Sequence, residues 1–188
     1  MSLKIIGGIF KNRSIKSPTG ILTKPTTSLL RKAVFDICQG IIKEATFLDL
    51  FACSGAMGIE ALSRGASQAT FVEKDRKAIK TLKENLALLQ VEPLSTVFCA
   101  DVFTLVRGSL LKPPYDIIYI DPPYPLSKDP KHPIADLLSF IETSNLLSTS
   151  GTLFLEEGPP MSSFFLTKLR LKSTRRFGES ILQEFNYQ

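Results

Sequence analysis

From Thr46 onward, short apolar runs alternate with stretches of helical period, and this alternation restricts the fold more than any other feature. Thr46–Phe51 (TFLDLF), Ala69–Glu73, Thr96–Cys99, Tyr115–Ile120 and Gly151–Glu156 read as strands, short and apolar enough to be buried on both faces. Helical stretches lie between them at Gly58–Arg64, Lys74–Gln90, Asp101–Arg107 and Ile134–Leu147. In Lys74–Gln90 the apolar residues Ile79, Leu82, Leu86 and Leu89 recur at spacings of 3, 4 and 3. Lys77, Lys80, Lys83 and Glu84 mark the opposite face, and Gly65 caps the helix before. Such alternation needs crossover connections, so it predicts a mostly parallel α/β sheet with helices on both faces. Phe164–Lys172 and Ile181–Tyr187 follow with no helix between them, which predicts an antiparallel pair at one edge, joined at Phe177–Gly178.

Residues 1–43 differ in character. Leu3–Phe10 and Ser14–Lys16 predict a small hairpin, and Thr26–Ile42 a helix capped by Thr26 or Thr27. This segment is expected to be an extension packed on a single domain of residues 44–188. It also holds the basic excess. The whole chain carries +5, with +7 in residues 1–43 and −2 in residues 44–188. A localised basic segment is the footprint expected for a polyanion such as nucleic acid, although a solvated base-rich surface has the same composition. A second cluster, Lys168, Arg170, Lys172, Arg175 and Arg176, contains no acid.

Scarcity of certain residues excludes whole chemistries. His132 is the one histidine, so it alone could serve a Ser-His-Asp or Cys-His mechanism, and its Lys-His-Pro setting reads as a surface loop. The cysteines, Cys38, Cys53 and Cys99, are too scattered for a zinc site and read as reduced thiols, with Cys38 and Cys99 as small core residues. No metal is expected. The apolar stretch Ile5 to Phe10 is too short for a signal segment, and no run approaches the ~20 residues that span a bilayer. The expectation is a soluble, cytoplasmic monomer.

Two clusters carry chemistry. The first strand runs into Asp49-Leu-Phe-Ala-Cys-Ser-Gly55, a turn leading to a helix. In open α/β sheets ligands bind outside the carboxyl ends of the strands, and Gly55 and Gly58 let the backbone approach one closely. Glu73 ends the next strand 18 residues after Gly55, where its carboxylate can accept from both hydroxyls of a ribose. Asp101 follows the third strand, suited to an adenine amine. The arrangement fits a dinucleotide or S-adenosylmethionine. Asp49 would repel a pyrophosphate but suits an ammonium group, which favours S-adenosylmethionine.

The second cluster is Asp121-Pro122-Pro123-Tyr124, which closes the most apolar strand. The prolines fix φ and remove two backbone donors, so the exposed groups are acceptors, followed at once by an aromatic face. That combination receives a planar ring bearing an exocyclic amine. Two acceptors take its N–H bonds while the ring stacks on Tyr124. Accepting both bonds returns electron density to nitrogen and orients its lone pair for in-line attack on a sulfonium methyl.

The whole pattern resembles the RsmD family of bacterial 16S rRNA guanine-N2 methyltransferases. The resemblance spans K-I-I-G-G from Lys4, K-P-T-T-x-x-L-x-R-K-A-V-F-D from Lys24, D-L-F-A-C-S-G-A-M-G-I-E-A-L-S-R-G-A from Asp49, V-E-K-D-R from Val72 and D-P-P-Y from Asp121. It implies a seven-stranded Rossmann-like methyltransferase fold. It implies that Asp49, Ala52, Cys53, Ser54, Gly55, Glu73 and Lys74 bind S-adenosylmethionine, with Asp101 and Val102 at its adenine. By the same resemblance Asp121, Pro122, Pro123 and Tyr124 hold the target guanine. Arg13, Lys24, Pro25, Thr26, Thr27 and Arg31 are the expected contacts to 16S rRNA or the small ribosomal subunit. Two positions depart from the family, which has Gly at Cys53 and Arg at Lys24. The latter change turns a bidentate contact into a point charge. The motif alone also suits an adenine-N6 or protein-amide methyltransferase, and a noncatalytic RNA-binding assembly factor would keep the fold.

Overall fold

A computed structural model of the chain describes residues 2–18, 27–123, 133–158 and 165–188. A small antiparallel hairpin comes first, β1 (Ser2–Lys4) and β2 (Ser14–Lys16), then helix α1 (Ser28–Ile37). The alternating part follows as β3 (Thr46–Leu50), α2 (Ala56–Ser63), β4 (Gln68–Glu73), α3 (Arg76–Leu89), β5 (Ser95–Cys99), α4 (Val102–Val106) and β6 (Tyr115–Ile120). It ends with α5 (Pro133–Thr143), β7 (Leu147–Glu157), β8 (Leu169–Phe177) and β9 (Ser180–Tyr187).

The strands from β3 to β9 form one seven-stranded sheet in the order β5-β4-β3-β6-β7-β9-β8. β3, β4, β5, β6 and β7 are parallel, and β9 is antiparallel to both β7 and β8, as the alternation and the unpunctuated C-terminal strands predict. The chain winds outward from β3 to β5, returns to β6 on the other side of β3, and winds outward again. The strand order therefore reverses between β3 and β6.

Both faces of the sheet are covered. Phe47, Phe71, Tyr119 and Phe154 face a core completed by α1, α2, α3 and the hairpin. Leu48, Leu50, Ile118, Ile120 and Leu155 face another completed by α4 and α5. This explains why the strands read as continuous apolar runs. Residues 1–43 share the first core through Ile5, Ile15, Leu30, Val34 and Phe35. They are also bonded to it. Glu60 accepts from the Ile6 N–H at 2.9 Å, Ser63 Oγ from the Phe10 N–H at 3.0 Å, and Asn85 Oδ1 from the Lys16 N–H at 2.8 Å.

Several elements differ from expectation. β8 runs over Leu169–Phe177 where a strand was expected over Phe164–Lys172, β1 ends at Lys4 short of the expected Phe10, and β7 begins at Leu147 ahead of the expected Gly151. The helix expected over Ile134–Leu147 ends at Thr143, where Thr143, Ser144 and Asn145 follow one another. Thr143 and Ser144 bond back to backbone carbonyls, the competition that ends helices, and Leu147 already begins β7. The helix expected to reach Ile42 passes instead into a 3-10 turn at Cys38–Gly40. Thr27 is its N-cap, with Oγ1 accepting from the Leu30 N–H at 3.2 Å.

Candidate active site

The carboxyl ends of β3, β4, β5, β6 and β7 form one rim. Leu50 is level with Val72 and Ile120, and Glu73 with Cys99. Phe51, the next residue, leaves β3 at the level where Glu73 and Asp121 follow on the neighbouring strands. This is the crevice where the strand order reverses, the place where open α/β sheets bind ligands. The two sequence clusters, far apart in the chain, meet there.

The turn after β3 is built from left-handed backbone at Phe51 (φ 69°), Cys53 (φ 49°) and Gly55 (φ 80°). Gly55 is needed twice over: its φ is left-handed, and a Cβ would lie 2.2 Å from Leu82 Cδ1. Gly58 is needed for contact, since its Cβ would lie 2.3 Å from the Phe71 ring. Cys53 adopts the same left-handed region with a side chain, at a cost of about 1 kcal/mol or more. Its N–H donates to Glu73 Oε2 at 2.9 Å, a bond that holds the turn in this shape. Phe51 packs edge-on against Phe103 of α4, with ring centroids 6.2 Å apart.

Glu73 is the hub of the rim. Besides Cys53 it accepts the Lys74 and Asp75 N–H groups, each at 2.8 Å, so its carboxylate is fixed by three backbone donors. Asp49 is 2% exposed, and its Oδ2 accepts from the Gly58 N–H at 3.1 Å. Gly55, the N-cap of α2, has no side chain, and Asp49 supplies the missing acceptor from the neighbouring strand. Burial pushes the Asp49 carboxyl up to about 7, with the Gly58 bond opposing and the Glu73 charge adding to the rise. Asp101 caps α4, its Oδ1 accepting from the Thr104 N–H at 3.2 Å, and Val102 is buried beneath it. The Ser54 carbonyl accepts from Asn85 Nδ2 at 3.0 Å. Ala52 is buried and Lys74 exposed.

Asp121 and Pro123 are half-buried at the end of β6 and Pro122 is buried, while Tyr124 lies outside the described residues. Sequence reasoning missed the neighbours of this run. The Tyr119 hydroxyl donates to Glu156 Oε2 across a buried gap. Ile120 pairs with Leu155, so Glu156 stands next to Asp121 on the rim. The signal available was the pair Glu156-Glu157 closing an otherwise apolar strand.

The expected RNA contacts divide. Lys24, Pro25 and Thr26, like His132, lie outside the described residues. Thr27 begins α1. Along that helix the Arg31 guanidinium lies near Tyr119 and Phe35 stacks on Phe47 at 6.1 Å, so the helix descends from the rim and Thr27 is at its top. Arg13 is exposed, donating to the Leu88 carbonyl at 2.8 Å and lying 5.5 Å over the Phe10 ring. Arg31 is a correction. It is 2% exposed and its Nη2 donates to the Lys4 carbonyl at 2.9 Å, so it ties α1 to the hairpin and does not face solvent. Cys99 is a second correction: it is exposed on the edge strand β5, whereas Cys38 is buried. Phe177 packs against the first core and Gly178 takes φ 63° in the β8–β9 turn.

Comparison with known proteins agrees with this architecture. The family described as Conserved hypothetical protein 95 matches residues 3–186. A putative rRNA methyltransferase of Bacillus subtilis, YlbH, is 34% identical over 155 residues, 82% of each chain. Ribosomal RNA small subunit methyltransferase D of Escherichia coli K12 is 32% identical over 155 residues, 82% of this chain and 74% of its own. Among solved structures, the putative methyltransferase yhhF of Escherichia coli superposes with a TM-score of 0.86 at 25% identity, covering 100% of this chain and 99% of its own. With a match over nearly its whole length, the chain belongs to the Conserved hypothetical protein 95 family, the RsmD family that its motifs resemble.

Proposed function

We propose that the protein transfers a methyl group from S-adenosylmethionine to the exocyclic N2 amine of a guanine in 16S rRNA of the small ribosomal subunit. The observation that carries this reading is the meeting of Asp121-Pro122 with the Phe51–Gly55 turn where the strand order reverses. The names of the Bacillus subtilis and Escherichia coli relatives, both rRNA methyltransferases, support the substrate class.

The donor set fits the cofactor. Glu73 is a fixed carboxylate suited to ribose hydroxyls, Asp49 a buried one suited to an ammonium group, and Asp101 with Val102 would border the adenine. When bound, S-adenosylmethionine supplies an electrophilic sulfonium methyl. Asp121 and the Pro122 carbonyl accept both N–H bonds of the target amine and stabilise the positive charge that grows on nitrogen; as the methyl carbon leaves sulfur, S-adenosylhomocysteine is left and the surplus proton on nitrogen passes to Asp121 or solvent. Tyr124 stacks on the base, which must leave its helix to enter the crevice. Glu156 and Tyr119 hold the strand ends around Asp121.

Labelled S-adenosylmethionine is incubated with small subunits from cells lacking the enzyme, and the rRNA is digested to nucleosides. Label is expected in N2-methylguanosine, and Asp121→Ala should lower kcat by about 10²–10³-fold, the scale of losing one aligned polar group in a dry site. No label in rRNA, or label undiminished by Asp121→Ala, rejects the proposal.

A further inference from the structure

The basic cluster near the C-terminus takes no part in the chemistry above. Lys168, Arg170, Lys172, Arg175 and Arg176 lie on or just before β8 and all are exposed. β8 is the outer strand of the sheet. The acids beside these bases are Glu184 on β9, which pairs with Lys172 at 2.8 Å, and Glu179 in the turn, so the edge stays positive. Its foot is anchored: the Glu142 carboxylate accepts from the Lys168 and Leu169 N–H groups.

Bases on an edge strand also discourage edge-to-edge pairing, so composition does not decide their role. Register does. β9 is antiparallel to both neighbours, so β8 runs in the direction of β7 and β6 and its end points to the rim. Glu156 pairs with Leu182 and Leu182 with Arg175. Asp121, beside Glu156, thus shares a row with Arg175 across three strand spacings, about 14 Å. Arg170, Lys172 and Arg176 extend the charge over roughly 20 Å of edge. A device that only blocks pairing needs no alignment with the active site.

We propose that β8 is a phosphate-tracking edge that holds the RNA strand leading away from the target base. The inference rests on the rRNA reading above. It is tested with the full-length triple variant Arg170→Gln/Arg175→Gln/Arg176→Gln against Lys77→Gln/Lys80→Gln/Lys83→Gln, which removes equal charge from the exposed face of α3. Methyl transfer to small subunits and binding of a 16S rRNA fragment are measured across a salt series. For the β8 variant, KM should rise about tenfold or more with kcat within about twofold. The slope of log K against log salt should become shallower by about 2–3, as expected for three lost phosphate contacts. The α3 variant should stay near wild type. Equal losses in both variants, or no change in the β8 variant, overturn the proposal. Wild-type protein that binds the fragment but methylates no rRNA overturns the enzymatic reading instead, and the salt slopes still judge the β8 surface.

Discussion

Asp49 sits where the fold and the proposed cofactor make opposite demands on one proton. Burial raises its carboxyl to about 7, far above its ordinary 3.8. Between those values the folded chain holds a proton that the unfolded chain has released. The associated stability is fully present below the unfolded pKa and is lost as pH rises through 7, by at most about 1.4 kcal/mol per pH unit. An ammonium group beside Asp49 needs the charged form. Below pH 7, binding of S-adenosylmethionine should therefore expel a proton, and affinity should fall by up to about tenfold per unit as pH drops. Calorimetry in buffers of different ionisation enthalpy counts that proton, and Asp49→Asn should make the profile flat. A flat wild-type profile from about pH 5 to 8 removes Asp49 from the cofactor site. Asp49 and Glu73 were legible in the sequence because an acid inside an apolar run, or closing one, is conspicuous. The handedness at Phe51 and Cys53 was not, since neither residue type prefers positive φ. At Cys53 it is held by a bond to Glu73, 20 residues away.

Elements are tied to one another by buried polar side chains such as Asn85 of α3. Its Nδ2 donates to the Lys16 and Ser54 carbonyls at 2.9 and 3.0 Å, and its Oδ1 accepts from the Lys16 N–H at 2.8 Å. One amide thus joins β2, α3 and the turn after β3. Asn85→Ala leaves three backbone groups without their partner, a loss of about 2–4 kcal/mol. The hairpin should loosen first, because β1 and β2 pair only with each other. Limited trypsin digestion should then cleave at Lys11, Arg13 and Lys16 several-fold faster while the seven-stranded sheet stays protected. Unchanged cleavage there would show that Glu60 and Ser63 hold the hairpin without Asn85. Element types were readable from period alone, because buried strands and one-sided helices differ in spacing. The end of α5 was not, since its apolar period runs on into β7 and the stop comes from side chains bonding back to the chain.

At the scale of the whole molecule, the division of charge into a +7 segment and a −2 remainder invites a picture of a detachable arm. The packing argues otherwise. Lys16 is paired with Glu84 of α3 at 2.8 Å, so part of the excess is balanced within the fold. Arg31, the basic residue most embedded in the segment, is structural. Ile5, Ile15, Leu30, Val34 and Phe35 are all within 2% of full burial, and burying such side chains contributes about 1.5–3 kcal/mol each. Their summed gross burial, before the entropy of ordering the segment, is about 8–15 kcal/mol, large against the net 5–15 kcal/mol that separates a typical domain from its unfolded state. Residues 1–43 are therefore proposed to be an inseparable part of the catalytic unit. The intact protein should unfold in urea in one transition, with hydrogen exchange in α1 and β3 collapsing at the same denaturant concentration. A chain beginning at residue 44 should lose its cooperative transition and expose Phe47, whose ring partner Phe35 is gone. A truncated chain that still melts cooperatively and binds S-adenosylmethionine would instead make the segment an accessory, leaving RNA binding as its sole contribution.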